Sequence, residues 1–131
     1  MATFSNYISV PGLLAGADLS SSQYKAVKIA STAGEVVVAD SPATETQLLG
    51  LLQNDPADGE AADVAVLGVA KGICESTAIA FGEAVTTNST GELQKTTSDN
   101  DHIIGIALEA SSAVGDIIRV LVNPSWLGTQ S

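Results

Sequence analysis

One strand-turn-strand unit occurs twice in this sequence, and it constrains the fold more than any other feature. The second copy, residues 103–122, reads IIGIALEASSAVGDIIRVLV, with an apolar run, a turn, and a second apolar run rich in β-branched residues. The first copy, residues 48–69, has the same order, and its Gly50 matches Gly105. Two copies of one unit within a single chain indicate an internal duplication.

The correspondence extends beyond these glycines. Asp63 matches Asp116, because each precedes the second apolar run of its copy. Each copy also follows a predicted β-hairpin, in which Gly34-Glu35 parallels Gly91-Glu92. We therefore predict one β domain over residues 17–122, built from pseudo-repeats at about 24–71 and 82–122. The predicted strands are 24–30, 35–39, 48–53, 63–71, 84–87, 92–95, 103–108 and 117–122.

Other segments are assigned by their turn and cap residues. Asp18 can cap a short helical turn over residues 19–23. Residues 72–82 fit either a short helix or a bulged strand, and the sequence does not decide between them. Pro124 is expected to end the last strand, since proline donates no backbone hydrogen bond.

Composition favours a mainly β domain with thin layers. The 131 residues are 45% hydrophobic but only 4% aromatic, so small and β-branched side chains must fill the core. A chain of this length is expected to form one compact domain. We predict a barrel-like or sandwich-like β domain with short helical turns and extended termini.

The two termini carry isolated hydrophobic residues. Residues 1–16 form a predicted N-terminal arm with Phe4, Tyr7 and Ile8, and residues 123–131 form a C-terminal tail that contains Trp126 and Leu127. Each terminus either packs on its own domain or reaches a neighbouring subunit. These five side chains are the candidate intersubunit contacts, because exposed aromatic and aliphatic groups concentrate binding energy.

Charge and hydropathy argue against several classes of partner. The formal net charge of −10 disfavours contact with nucleic acid and with anionic membranes. Mean hydropathy is +0.28, yet no apolar run approaches the length that spans a bilayer, and no secretory signal is evident. The acidic residues either keep an apolar protein soluble or allow one face to repel DNA and neighbouring particles.

No constellation of residues indicates catalysis. Cys74 is the only cysteine and His102 the only histidine, so a tetrahedral zinc site cannot form from these ligands. We expect Cys74 to be a small core residue and His102 a strand-edge residue. No nucleophile elbow or phosphate-binding glycine motif occurs. The sequence therefore predicts neither an enzyme nor a cofactor.

Clustered carboxylates supply the best candidate for a metal site. The loop of residues 54–62, with the adjoining Asp63, carries Asp55, Asp58 and Glu60. Its spacing does not match an EF-hand, and Asp55-Pro56 restrains the backbone. We interpret these residues as ones that form a tight turn rather than a metal site, with Asp58-Gly59 supplying the positive-φ position. Asp99 and Asp101 form a weaker second pair.

Several segments, in this order, resemble the small capsid cement, or head decoration, proteins of tailed bacteriophages. They are Gly50 with the QNDPADGE turn, the Gly68-Val69-Ala70-Lys71 strand end, the Gly105-Ile106-Ala107-Leu108 strand, and Gly115-Asp116. The resemblance covers about residues 17–122, and neither terminus follows a pattern of the family.

The resemblance implies a β-tulip-like fold and a structural role without catalytic residues. It implies binding to the outer surface of the mature, expanded head, as a homotrimer at three-fold and quasi-three-fold positions. The partner would be the major capsid protein, whose neighbouring subunits would be clamped against the pressure of packaged DNA.

Three alternatives stay open at this point. The chain could be another virion component, such as a connector or tail protein. It could be a β module displayed on the head that binds a host surface, although few aromatic residues are available to stack on sugars. An enzyme, such as a small peptidase, is the third alternative.

Overall fold

The structure is a computed structural model that describes residues 5–40, 48–75, 78–96 and 102–126. Residues 124–126 are described by their backbone only. Ten β-strands form it, and no helix occurs within these ranges. The strands are β1 (Asn6–Ser9), β2 (Leu14–Ala15), β3 (Ala26–Ile29), β4 (Glu35–Val38), β5 (Leu48–Leu52), β6 (Val64–Ile73), β7 (Ala84–Thr87), β8 (Leu93–Lys95), β9 (His102–Ala107) and β10 (Ile117–Trp126). The fold is mainly β, as the sequence predicts.

All ten strands belong to one sheet. Its order is β2-β4-β3-β5-β6-β10-β9-β7-β8, and β1 pairs with β6 outside this path. The pairs are antiparallel except for β2 with β4. The order β4-β3-β5-β6 of the first half corresponds to β8-β7-β9-β10 of the second, with β6 and β10 adjacent at the centre. Two copies of one unit would produce this order, and the duplication itself stays a prediction.

The sheet does not close into a barrel, so that part of the prediction is wrong. The terminal strands β2 and β8 do not pair with each other. Each instead curls back toward β6, through isolated bridges from Leu14 to Ala61 and from Cys74 to Leu93. Because β2 has two residues and β8 has three, neither offers enough backbone to form a closing ladder.

Two hydrophobic clusters pack against the curled sheet. The cluster in the first half is small; its buried members are Ala15, Leu19, Val27, Val36, Leu52, Ala62 and Val64. The larger cluster draws on both halves; its largest members are Leu48, Leu51, Ile79, Val85, Leu93, Ile104, Ile118, Val120 and Val122. Aliphatic side chains fill both clusters, as the low aromatic content requires.

The eight predicted strands are present, with their ends shifted by a few residues. The ambiguous segment extends β6 to Ile73, and Cys74 and Ile79 then form isolated bridges. Residues 19–25 form two successive turns and no helix, in which Ser22 N donates to Leu19 O and Lys25 N to Ser22 O. The predicted cap is nevertheless present, since Asp18 Oδ1 accepts a hydrogen bond from Ser20 N. The chain does not continue from the second turn into a right-handed helix, because Tyr24 has a φ of 72°.

Pro124 does not end the last strand, which continues to Trp126. The register between β10 and β9 shifts between Val122 and Ser125, and the pairing of β10 with β6 stops at Val122. Proline is tolerated at such an irregularity because no ladder hydrogen bond is required from its nitrogen.

Candidate functional site

A stripe of exposed aliphatic side chains crosses four neighbouring strands of the sheet. Ile8 on β1 pairs with Leu67 on β6. Val69, two residues further along β6, pairs with Leu121 on β10, and Leu121 pairs with Ile106 on β9. Residues paired across strands lie on the same face, as do residues two apart within a strand. These five residues therefore form one continuous surface, called the apolar stripe below.

The apolar stripe faces solvent. Ile8 is 59% exposed, Leu67 47%, Ile106 43% and Leu121 42%. The alternate residues of the same strands, such as Ala70, Val120 and Val122, are buried in the large cluster. Scattered exposed hydrophobic residues are normal, but a contiguous row on an ordered sheet face marks an interaction surface.

A depression of about 190 Å³ lies at one end of the stripe. It is lined by Ala84, Ile103, Gly105, Ile106, Leu121 and Asn123. Gly105 belongs at this point because a Cβ there would overlap the carbonyl oxygen of Leu121. The lining offers mainly aliphatic contact and the amide of Asn123, which suits an apolar side chain rather than a polar substrate.

Two cations border the other side of the stripe. Lys71 and Arg119 pair across β6 and β10, two residues along these strands from Val69 and Leu121. The Lys71 Nζ lies 5.8 Å from the centre of the Tyr24 ring, which is within reach of a cation–π interaction. The Arg119 Nε lies 3.8 Å from Glu109 Oε1, while Glu109 also accepts a hydrogen bond from Arg119 N.

The five predicted contact residues do not share one environment in the structure. Tyr7 packs against the large cluster, and its hydroxyl donates to Asp63 Oδ2 at 2.6 Å. Burial and this carboxylate raise the pKa of Tyr7 to about 12. Ile8 joins the apolar stripe. The backbone of Trp126 pairs with His102, and Phe4 and Leu127 lie outside the described residues.

β1 thus lies within the chain's own sheet. Gly68, with a φ of +109°, makes this packing possible, because a Cβ there would lie 2.6 Å from Asn6 O and 2.9 Å from Tyr7 Cα. The Tyr7–Asp63 hydrogen bond adds a side-chain contact that holds β1 on β6. Asp63, which the sequence predicts as the start of a strand and as part of the acidic cluster, therefore positions the N-terminal strand.

The acidic loop is held by its own hydrogen bonds. Glu60 Oε1 accepts from Ala57 N at 2.8 Å, and Asn54 bridges to both Ala61 O and Asp63 N. Gly59 has a φ of +85°, which confirms the predicted positive-φ position. Within the described ranges, no group of three or more His, Cys, Asp and Glu residues is arranged to hold a metal ion.

Cys74 and His102 are buried at separate points of the fold. Burial raises the pKa of the Cys74 thiol to about 11, and the nearby Asp116 and Glu92 carboxylates act in the same direction. The thiol is therefore protonated at neutral pH, as expected of a core residue. His102 is the first residue of β9, and its carbonyl accepts a hydrogen bond from Thr86 Oγ1 at 2.6 Å.

A second depression, of about 340 Å³, lies beside the turn that precedes β10. Its Asp116 carboxylate accepts hydrogen bonds from Ser112 N and Ala113 N, which lower the pKa of Asp116. This carboxylate is therefore occupied by hydrogen bonds within its own turn.

No helix in the part of the chain described is long and apolar enough to cross a membrane.

The sequence did not identify the apolar stripe as a site, although a signal was present. The segment VAVLGVA of β6 is apolar on both of its alternating faces. A strand with only one face on the core usually alternates apolar and polar residues, so the second apolar face indicates a further contact.

Comparison with protein families identifies a match over most of the chain. The family model described as phage cement protein matches residues 21–123 of the 131-residue chain. No curated protein matches the sequence.

Proposed function

The chain belongs to the phage cement protein family, and we propose that it stabilises the expanded capsid by binding its outer surface through the apolar stripe. Family membership assigns the chain to the phage capsid and to a structural role. The proposal goes further by naming the major capsid protein as the partner, and the solvent-exposed row of Ile8, Leu67, Leu121 and Ile106 is the observation that carries it.

The stripe supports this function because it is apolar, ordered and extended. Burying aliphatic surface contributes roughly 25 cal/mol per Å², so several side chains of this size give useful affinity when they are buried together. The side chains are held on paired strands, so little conformational entropy is lost when a partner binds. A ligand that binds only the expanded shell also stabilises that state by linkage.

The remaining details of the proposal extend the family resemblance. The chain would act as a homotrimer at three-fold and quasi-three-fold positions, where three simultaneous attachments make weak contacts avid. Phe4, Trp126 and Leu127 would add contacts from the termini, alongside Ile8 in the stripe. Tyr7 would act indirectly, by holding β1 and hence Ile8 in place. The net charge of −10 is compatible with an outward-facing position away from packaged DNA.

Copy number tests the proposed role. Quantitative mass spectrometry of purified particles should give many copies of this chain, near parity with the major capsid protein, on DNA-filled heads and far fewer on unexpanded ones. A handful of copies per particle would favour a connector or tail component, and would contradict the cement proposal.

Site-directed variants test the stripe. Leu121→Asn and Leu67→Asn should each weaken binding to expanded heads that lack this chain by about fivefold or more, since truncating a central interface residue costs over about 1 kcal/mol. Ile29→Asn is the matched control, because Ile29 is 48% exposed on β3 but does not belong to the stripe. Equal binding by all three variants would exclude the stripe as the contact surface.

A further inference from the structure

Lys71 and Arg119 form a like-charged pair that the rest of the chain does not explain. They lie directly opposite each other on β6 and β10, an arrangement that is unfavourable for two cations. The chain has only five basic residues against fifteen acidic ones, so a cationic pair is also unexpected from its composition. The Glu109 carboxylate offsets the charge of Arg119 in part, so the pair leaves positive charge that an anion from outside the chain could neutralise.

Neither cation is fully satisfied within the chain. Among the described residues, no carboxylate lies within ion-pair distance of Lys71 Nζ. Arg119 Nε is removed from solvent and makes no hydrogen bond there, since the Glu109 oxygen at 3.8 Å is too distant for one. The donors next to the apolar stripe that a partner could reach are therefore Lys71 Nζ and the terminal guanidinium nitrogens of Arg119, whose side chain is 35% exposed.

Tyr24 adds an independent observation at the same place. Its φ of 72° makes it the non-glycine residue with a left-handed backbone in the described ranges. The corresponding position of the second half, two residues before β7, is Gly82, with a φ of +89°. An L-residue in this conformation costs about 1–2 kcal/mol relative to a right-handed one, so glycine is the residue expected there.

The strained backbone of Tyr24 is held on both sides. Its N–H donates to Leu52 O at 2.7 Å, and its carbonyl accepts from Ile73 N at 2.9 Å. These bonds fix the ring beside Lys71 Nζ. A strained backbone at a bulky residue often marks a functional position rather than a stabilising one. At Tyr24, the strained backbone places an aromatic ring next to the Lys71 ammonium.

We propose that Lys71, Arg119 and Tyr24 form a recognition site for a carboxylate carried by the capsid partner. This inference rests on the proposed function and names the chemistry of the bound segment. Lys71 and Arg119 would donate to the carboxylate oxygens, and the Tyr24 ring would support the Lys71 ammonium. The charge of this site is opposite to that of the acid, while the net charge of −10 disfavours a polyanion such as nucleic acid.

The register of the sheet defines the segment further. Lys71 and Arg119 are each two residues from a member of the stripe, Val69 and Leu121 respectively. Residues two apart in an extended chain are about 7 Å apart and face the same side. The partner's carboxylate would therefore lie about 7 Å from the aliphatic side chains that cover Val69 and Leu121.

Charge variants test this inference. Purified protein is titrated onto expanded heads that lack this chain, at low and at high salt. Lys71→Glu should weaken binding at least tenfold at low salt, Lys71→Arg should bind nearly as the wild type does, and the salt dependence should be smaller in Lys71→Gln. Lys95→Glu is the control: Lys95 is exposed on β8 and pairs with the buried Val85, so it lies on the opposite face from the stripe.

The outcomes separate this inference from the proposed function. If wild-type protein does not bind heads, or if Leu121→Asn binds normally, the proposed function fails at the stripe. If wild-type protein binds and Lys71→Glu binds as well as Lys95→Glu, the carboxylate site is wrong and the stripe stands alone. If Lys71→Glu alters self-association without altering head binding, a second copy of this chain occupies the site, and the inference is also wrong. Circular dichroism of each variant establishes that it is folded.

Discussion

Gly50 and Gly105 make the same contacts in the two halves of the sheet. Gly50 pairs with the buried Val27, and Gly105 pairs with the buried Val85. A Cβ on either glycine would overlap a carbonyl oxygen of the following strand, that of Ala65 for Gly50 and that of Leu121 for Gly105. At both points two strands approach more closely than an alanine would allow.

Alanine at Gly50 or Gly105 should therefore destabilise the fold by at least about 2 kcal/mol, since backbone cannot move aside as a flexible side chain can. Gly34→Ala is the control. Gly34 has a φ of +82° but open space around it, so only backbone strain of about 1 kcal/mol applies. Urea denaturation of the three variants measures the difference, and equal losses would contradict the steric explanation.

Gly68→Ala should release β1 while the rest of the sheet stays folded. The new methyl group would press on Asn6 O and Tyr7 Cα, and its backbone φ of +109° disfavours any L-residue. Hydrogen exchange should become faster at Tyr7 and Ile8, and unchanged in β9 and β10. Uniformly faster exchange would show that β1 is required for the whole fold.

Tyr7→Phe should lower stability by about 1–2 kcal/mol at neutral pH, because it removes a hydrogen bond to the Asp63 carboxylate. The difference depends on pH. Folding raises the pKa of Tyr7 from 10.0 to about 12. The stabilising contribution is therefore complete below about pH 10 and is lost as pH rises through about 12. Melting temperatures of both proteins across this range test the prediction, and a constant difference would refute it.

Tyr24→Gly should be more stable than Tyr24→Ala by about 1 kcal/mol, because both lose the ring but only glycine accepts the left-handed backbone without strain. Chemical denaturation gives the comparison. Both variants should bind heads more weakly than the wild type, since neither retains the ring beside Lys71. If Tyr24→Ala proved the more stable, the strain attributed to Tyr24 would be absent.

Much of the secondary structure followed from local pattern. Alternation of apolar residues located β6 and β10, and the glycine turns located the hairpins β3–β4 and β7–β8. Local pattern failed where a distant contact decided the outcome. Pro124 lies inside β10 because the register shift there requires no hydrogen bond from its nitrogen, which carries no hydrogen. No neighbouring residue in the sequence indicates that shift.

The candidate site was less predictable than the strands. The sequence predicts both Tyr7 and Ile8, which are adjacent, as contacts, yet Tyr7 packs on the core and Ile8 faces solvent. The alternation of side chains along β1 explains this division once the partner strand is known. The partner of Tyr7 is Asp63, which lies 56 residues away in the sequence.

By itself, the sequence determined that the chain is mainly β, that it resembles the phage cement proteins, and that aliphatic rather than aromatic side chains must fill its core. Those properties depend on composition and on patterns within about ten residues. Only the tertiary structure decided that the sheet stays open, that Leu67, Leu121 and Ile106 form one exposed row, and that Lys71 lies opposite Arg119. These relationships depend on strand register, which sets which distant residues become neighbours and which face they share.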